Sequence, residues 1–209
     1  MSDEIIRFNT EDAAKMQPVK PIIAKTFSLV DEKDPILKEI IPEFDFENPT
    51  INPNEFASTL VETCKLHKGY GLSANQCGFK YRVFVMGAGD EYVAHFNPKV
   101  INAYGEVHMD EGCLSFPLLG LRITRPQEIL VEYQDFHGEF HQMKFNGISA
   151  RCFLHELDHM NGICYTDKVK PLALKSGLDK RDKALKKIAT QQAYMMKAQQ
   201  YGERQSKTN

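Results

Sequence analysis

The chain has 209 residues and a formal net charge of −2, and 42% of its residues are hydrophobic. This length suits one domain, or one domain with an extension, and the composition excludes a wholly disordered chain. No stretch approaches the ~18 consecutive apolar residues of a membrane helix, and the small net charge argues against DNA binding by bulk electrostatics. Five cysteines, an odd number, follow a start without a secretory signal, which predicts a reducing, cytoplasmic location.

The amino-terminal part of the chain is predicted to be irregular up to its first helix. Proline residues interrupt residues 1–52, of which 1–33 form a lead ahead of the main domain. A helix is predicted over about 53–67, because Asn52 can cap it and a proline fits its first position. The apolar stripe of that helix consists of Phe56, Leu60, Val61 and Cys64.

Two antiparallel strand pairs are predicted in the middle of the chain. Residues 81–86 form a buried strand, 87–90 a turn and 92–96 the partner strand. Residues 129–133 and 140–145 form a second pair.

A second helix is predicted over about 149–160. Ser149 is a plausible cap at its start, and Asn161 followed by Gly162 is a plausible stop. Arg151 is expected to point outward from this helix.

From Pro171 onward the chain becomes basic. Residues 171–209 contain nine Lys or Arg and three acids, a formal charge of +6, which leaves −8 on residues 1–170. A weak helical stripe favours a solvated helix packed on the domain, and the alternative is a basic arm that docks on a polyanion. The stripe consists of Leu185, Ile188, Ala189, Gln192 and Met196.

The second predicted helix carries the pattern H-E-x-x-H at residues 155–159. His155 and His159 are four residues apart and share one helical face, so both imidazoles can hold one metal ion. Glu156 is turned about 100° from His155, beside the metal, where it could take a proton from water. The pattern therefore predicts a hydrolytic metal site.

A catalytic metal usually needs a third protein ligand, and two cysteines are candidates. Cys152 shares a helical face with both histidines, but the three would form a nearly linear array along one helix. Cys113 lies in the segment EGCLS on another part of the chain, beside a glycine that lets the backbone approach closely. A tetrahedral site is more easily completed by a ligand from a second structural element. Cys113 is therefore the preferred third ligand, and Cys152 is the alternative.

A third segment, GYGLSANQ at residues 69–76, has glycines that could expose backbone groups to an extended ligand. Gln76 could donate an amide hydrogen to an oxyanion. Taken alone, the segment favours an ordinary turn, because the pattern G-x-G is common.

Together, GYGLSANQ, EGCLS and HELDH resemble, in this order, the three motifs of the peptide deformylase family. The likeness covers residues 34–170, and the conjunction is far more specific than any single motif. One departure is Ser73, where the family usually has alanine. The resemblance implies an α+β fold, with short antiparallel sheets packed around a central helix that bears HExxH, followed here by a carboxy-terminal helix. With the change of composition at Pro171, the predicted organisation is a catalytic domain over 1–170 and a basic helical extension over 171–209.

The resemblance also implies roles for individual residues. Cys113, His155 and His159 would hold the metal, with Glu156 as general base and acid. The Gln76 side chain and the Leu114 backbone N–H would stabilise an oxyanion.

The resemblance further implies a substrate pocket, for which ordinary core packing is the alternative at each position. Gly71 would pair with the peptide backbone in a strand-like manner. Arg125 would pair with Glu111 and brace the cysteine loop. The pocket for the methionine side chain of the substrate would be lined by Tyr70, Ile148, Cys152 and Met109.

The family hydrolyses the N-formyl group of nascent polypeptides that begin with formyl-methionine, and releases formate. Its native metal is commonly Fe(II), and Zn(II), Ni(II) or Co(II) can occupy the site. Some bacterial members bind the ribosome through a carboxy-terminal helix. The resemblance therefore suggests that the basic tail docks on ribosomal RNA near the peptide exit. The competing hypotheses are a metallopeptidase with a Cys/His/His site and a binding protein without activity on the same fold.

Overall fold

The computed structural model describes residues 25–206 and, of residues 197–206, only the backbone. In this part of the chain, two antiparallel sheets surround one buried helix, and a long helix ends the chain. The fold is therefore α+β, as predicted. The helices are α1 (Pro53–Leu66), α2 (Gly147–Met160) and α3 (Pro171–Ser206). Short 3-10 helices span Pro35–Lys38, Ala74–Cys77 and Tyr165–Lys168.

The larger sheet has five strands in the order β1-β2-β3-β6-β7, all antiparallel to their neighbours. Both predicted strand pairs belong to it and are confirmed. The predicted turn at 87–90 is partly wrong, because residues 87 and 88 still pair with the next strand. The strands are β1 (Gly71–Ser73), β2 (Val83–Ala88), β3 (Glu91–Tyr104), β6 (Glu128–Gln134) and β7 (Phe140–Asn146).

The smaller sheet is a hairpin of β4 (Val107–Cys113) and β5 (Phe116–Arg125), which the sequence reasoning did not assign. Alternate residues of β5 are buried, namely Leu119, Leu121, Ile123 and Arg125. This period of two is the pattern of a half-buried strand. The hairpin brings Cys113, at the end of β4, over α2.

Helix α1 confirms the first predicted helix and its apolar stripe. The Asn52 side chain accepts hydrogen bonds from the backbone N–H groups of residues 54 and 55, which caps the helix as predicted. The four stripe residues are all buried and belong to one cluster between α1 and the five-stranded sheet. Residues 25–52 ahead of it are largely irregular, as predicted, apart from the 3-10 helix at Pro35–Lys38. The prediction for residues 1–24 lies outside the described residues.

Helix α2 lies in the main core, where Phe153 and Met160 pack among Phe84 and Phe145 from the large sheet. The predicted cap is wrong, because the helix begins two residues earlier and Asn146 occupies the cap position. Ser149 is instead a buried residue of the first turn. The predicted stop at residues 161–162 is confirmed by the cap at 161 and by the positive φ of +69° at Gly162.

Helix α3 contacts the rest of the described chain through its first turns. Leu174 packs on the β5 cluster, and Gly177 lies against Leu119 and Leu121. Arg181 forms an ion pair with Glu32 at 2.8 Å, which ties the helix to the amino-terminal segment. Residues 185–196 are exposed, so their stripe has no cover within residues 25–206. No described helix combines the length and the apolarity needed to cross a membrane.

Candidate active site

The three predicted metal ligands come together from two elements. His155 and His159 lie one turn apart on α2, and Cys113 reaches them from the end of β4. One donor atom from each lies within 4.8 Å of the other two, and the Cys113 Sγ is 3.3 Å from the His159 Nε2. Cys152, the alternative ligand, does not belong to this group.

A buried carboxylate orients the first histidine. Glu111, also on β4, lies 3.1 Å from the His155 Nδ1. Because a carboxylate only accepts hydrogen bonds, the Nδ1 atom carries the proton and Nε2 is left as the donor to a metal. Burial alone would raise the pKa of Glu111, but hydrogen bonds from His155 and Arg125 lower it to about 2.

Two arginines compensate the charge of Glu111. Arg125 binds both carboxylate oxygens, at 2.6 and 2.9 Å, as the predicted pairing requires. Arg151 also donates to the Glu111 carboxylate and to two backbone carbonyl groups of the hairpin. The expectation that Arg151 points outward is therefore wrong. Arg151 lies four residues before His155, on the same helical face, and that face turns toward the hairpin.

The donor set fits a divalent transition metal. A thiol and two imidazoles are ligands that such ions prefer, and three protein ligands leave a position for water or substrate. Burial lowers the pKa of His159 well below its usual range, so this imidazole is neutral, as a ligand must be.

Glu156 is buried beside these ligands and contacts β1. Its Oε2 accepts a hydrogen bond of 2.5 Å from the Ser73 hydroxyl. Burial raises the pKa of the Glu156 carboxyl, and the hydrogen bond from Ser73 and the charge of Arg125 partly offset that rise. A buried carboxyl with a raised pKa is a stronger base than an exposed one, which suits a group that takes up a proton.

Gln76 and Leu114 are both neighbours of Cys113, the first in space and the second along the chain. The Gln76 Oε1 accepts from the Ser73 backbone N–H at 2.9 Å, which fixes the amide. Its Nε2 then points to the Ser115 Oγ at 3.0 Å and to the Cys113 Sγ at 3.4 Å. Leu114 lies in the two-residue turn between β4 and β5, next to Cys113.

An open cleft of about 630 Å³ leads to the buried residues. Its wall includes Cys113, His155 and Glu156. The five residues predicted to contact substrate also line this cleft, namely Tyr70, Gly71, Met109, Ile148 and Cys152. The cleft thus joins the predicted pocket to the predicted metal ligands.

Three polar residues that the sequence reasoning missed support the site. Asp158 accepts a hydrogen bond of 2.7 Å from Arg125, and Ser115 contacts Gln76. Asn75 donates to the His159 carbonyl at 2.8 Å and thereby joins the glycine-containing segment to α2. Each of them lies within a motif or beside one, which is the signal that could have identified them.

Comparisons with known proteins agree on one family. A family model described as polypeptide deformylase matches residues 27–175. The peptide deformylase of Thermotoga sp. (strain RQ2) is 37% identical over 140 residues, which cover 66% of this chain and 84% of the relative. That of Thermotoga neapolitana is 42% identical over 113 residues, which cover 54% and 69%.

Solved structures of peptide deformylases share the fold. The crystal structure from Thermotoga maritima is 33% identical with a TM-score of 0.63, covering 70% of this chain and 99% of that one. The structure from Legionella pneumophila is 27% identical with a TM-score of 0.70, covering 78% and 98%. The chain therefore belongs to the polypeptide deformylase family, metal-dependent enzymes that remove the N-formyl group from nascent polypeptides.

Proposed function

We propose that Cys113, His155 and His159 hold one divalent metal ion and that Glu156 is the general base and acid of the deformylase reaction. The observation that carries this proposal is the convergence of the three donor atoms within 4.8 Å, beside a buried carboxylate in one cleft. A metal bound there would lower the pKa of water and polarise the formyl carbonyl group. We propose Fe(II) as the native ion, and the same donors suit Zn(II), Ni(II) and Co(II).

Glu156 would move the proton that the reaction requires. Its carboxylate accepts a proton from the attacking water and later donates a proton to the departing amine nitrogen. The formyl carbon becomes tetrahedral in between, and its oxygen gains negative charge. The raised pKa of Glu156 supports the first transfer, because burial makes this carboxylate a stronger base than an exposed one.

Gln76 and Leu114 would stabilise that negative charge with N–H donors. The Gln76 Nε2 makes a shorter contact with Ser115, 3.0 Å, than with Cys113, 3.4 Å. The N–H hydrogen that points to the cysteine sulfur makes the weaker contact. The substrate oxygen can therefore accept this hydrogen bond in place of the sulfur. The Leu114 backbone N–H, in the hairpin turn, would supply the second donor.

The substrate would be a polypeptide that begins with N-formyl-methionine. Strand β1 ends the five-stranded sheet, so one of its edges is open to an extended peptide, which Gly71 can pair with. The methionine side chain would lie among the other cleft residues, namely Tyr70, Ile148, Cys152 and Met109. Arg125 and Glu111 would hold the cysteine strand and His155 in place.

The proposal is tested by formate release from a formyl-Met tripeptide, with anaerobically purified protein. We expect release only from the formylated peptide, and cleavage of the unformylated one would favour a metallopeptidase. Glu156→Gln should lower kcat by about 10²- to 10⁴-fold with metal content unchanged. Activity at the wild-type level in that variant would refute the role of Glu156.

The ligand choice has its own matched pair of variants. Cys113→Ser should lose metal on dialysis, whereas Cys152→Ser should retain it, because the Cys152 thiol lies outside the donor group. Metal loss only from Cys152→Ser would show the assignment to be wrong. Metal analysis of the wild-type protein from the same preparation identifies the native ion.

We also propose that residues 1–170 form the catalytic domain and that the basic extension, 171–209, docks on ribosomal RNA. The formal charge of +6 on this extension supports the second part. Ribosome binding should weaken as salt is raised and disappear when the extension is removed. Unchanged ribosome binding after truncation would refute the docking. The cytoplasmic location of the protein stays a prediction.

A further inference from the structure

Ser73 contacts the residue proposed to transfer the proton. It is fully buried on β1, and its hydroxyl donates to the Glu156 Oε2 at 2.5 Å. The Glu156 backbone oxygen is farther away, at 3.3 Å, so the single hydroxyl hydrogen is directed to the carboxylate. The family motif that this segment resembles usually has alanine here, which offers no such bond.

The two oxygens of Glu156 therefore have different surroundings. Oε2 is held by Ser73, whereas Oε1 lies along Gly71, where an added Cβ would stand 2.5 Å from it. Gly71 is part of the cleft wall, and Ser73 is not among the described residues that line it. The hydroxyl thus contacts the oxygen away from the substrate.

We propose that Ser73 is a positioning residue that anchors the Oε2 of Glu156 and thereby presents Oε1 for proton transfer. The inference rests on the proposed role of Glu156 as general base. A glutamate side chain has several rotamers, and proton transfer requires its oxygen within about 2.6–3.2 Å of the proton donor. An anchored Oε2 limits the rotation of the carboxylate, so Oε1 stays in position through both transfers.

The same residue also holds the second catalytic group in place. The Ser73 backbone N–H binds the Gln76 Oε1 at 2.9 Å, which does not depend on the side chain. A substitution at position 73 that keeps the backbone should therefore leave Gln76 in place. The effect of losing the hydroxyl is thus separable from the effect on the oxyanion donors.

The test measures kcat and KM for Ser73→Ala with the metal-loaded enzyme. Because the hydroxyl acts on Glu156 and does not line the cleft, we expect kcat to fall about tenfold with KM within about twofold. Thr63→Val is the matched control, since it removes a buried hydroxyl of α1 that donates to the Thr59 carbonyl and accepts from the Phe27 backbone N–H, with no contact to Glu156. Its kcat should stay at the wild-type level, although it lowers stability.

Two further measurements separate positioning from a general loss of order. In a Glu156→Gln background, Ser73→Ala should cause no further loss of rate, because the carboxylate it acts through is absent. In a crystal structure of Ser73→Ala, the Glu156 side chain should adopt more than one orientation.

Several results would overturn the inference. These are an unchanged kcat in Ser73→Ala, a rise in KM alone, an equal loss in Thr63→Val, an additive loss with Glu156→Gln, and a single unchanged Glu156 orientation. If Glu156→Gln were itself fully active, the proposed base would be wrong. If Glu156→Gln were inactive and Ser73→Ala fully active, only the anchoring role would be wrong.

Discussion

Glu111 is a buried anion on which three cationic or hydrogen-bonding side chains converge. Arg125, Arg151 and the His155 ring all donate to its carboxylate. Such a group costs free energy to bury and is tolerated because its charge is matched and every oxygen is bonded. Its value to the enzyme is geometric, because it links the strand that carries Cys113 to the helix that carries the histidines.

Replacing Glu111 with glutamine should destabilise the protein by about 3–5 kcal/mol, because buried Arg151 loses its counter-charge and buried Arg125 keeps only that of Asp158. Urea denaturation measures this change. Glu43→Gln is the control, since Glu43 pairs with Lys99 at the surface, with side chains 62% and 56% exposed. It should cost less than about 1 kcal/mol. Equal effects of the two variants would contradict the proposed importance of the buried cluster.

Gly71 lies close against α2, with no room for a side chain. A Cβ there would lie 2.5 Å from the Glu156 Oε1 and 2.9 Å from the Cys152 Sγ. Gly71→Ala should therefore displace Glu156 and lower kcat by about tenfold or more. Gly120→Ala, where an added Cβ meets no described atom within 4 Å, should retain full activity. Steady-state kinetics of the two variants measures this difference. A fully active Gly71→Ala would contradict the expectation that a side chain at position 71 displaces Glu156.

At the scale of the element, α3 consists of two stretches with different surroundings. Its first turns cover Leu119 and Leu121 on β5 and pair with Glu32 through Arg181. Residues 185–196 are exposed to solvent. The first stretch therefore completes a core, and the second contributes little to the stability of the described part.

Removing residues 185–209 should leave the thermal midpoint and the deformylase activity close to wild type, because only exposed side chains are described there. Removing 171–209 should lower the free energy of unfolding by about 2–4 kcal/mol, because apolar surface on β5 becomes exposed. Calorimetry of the two truncated proteins measures the difference. A large loss from the shorter truncation would imply that the exposed stripe has a partner.

At the scale of the whole molecule, the core contains a histidine without direct access to water. His95 is fully buried among the rings of Phe84, Tyr133 and Phe153. Burial lowers its pKa to about 3, against about 6.5 in the unfolded chain. The unfolded state therefore binds a proton at mildly acidic pH that the folded state does not bind.

Stability should accordingly fall as the pH drops from 6.5 toward 3, by about 2.5 kcal/mol between pH 7 and pH 4.5 from this residue alone. His95→Leu removes the titration, so the unfolding free energy of wild type minus that of the variant should fall by that amount as the pH drops over the same range. Urea denaturation at both pH values measures it. A difference that does not change with pH would show that His95 does not titrate as described.

Much of the fold and site could be predicted from local patterns. The apolar stripe of α1, the strand pairs β2–β3 and β6–β7, and the shared face of His155 and His159 each follow from spacing along the chain. The hairpin β4–β5 was missed, although β5 alternates clearly, because exposed Leu118 and the motif residues interrupt the apolar pattern. The start of α2 was misplaced because Ser149 is buried in the first turn rather than capping it.

By itself, the sequence determined which residues are available for catalysis, because the metal motif needs only helical spacing and the three segments need only their order. The tertiary structure decided how these residues act together. It turned Arg151 inward to Glu111, separated Cys152 from the ligands, and brought the Ser73 hydroxyl to Glu156. The physical reason is that spacing defines the faces of a helix, whereas the partner of each face depends on contacts between residues far apart in the chain.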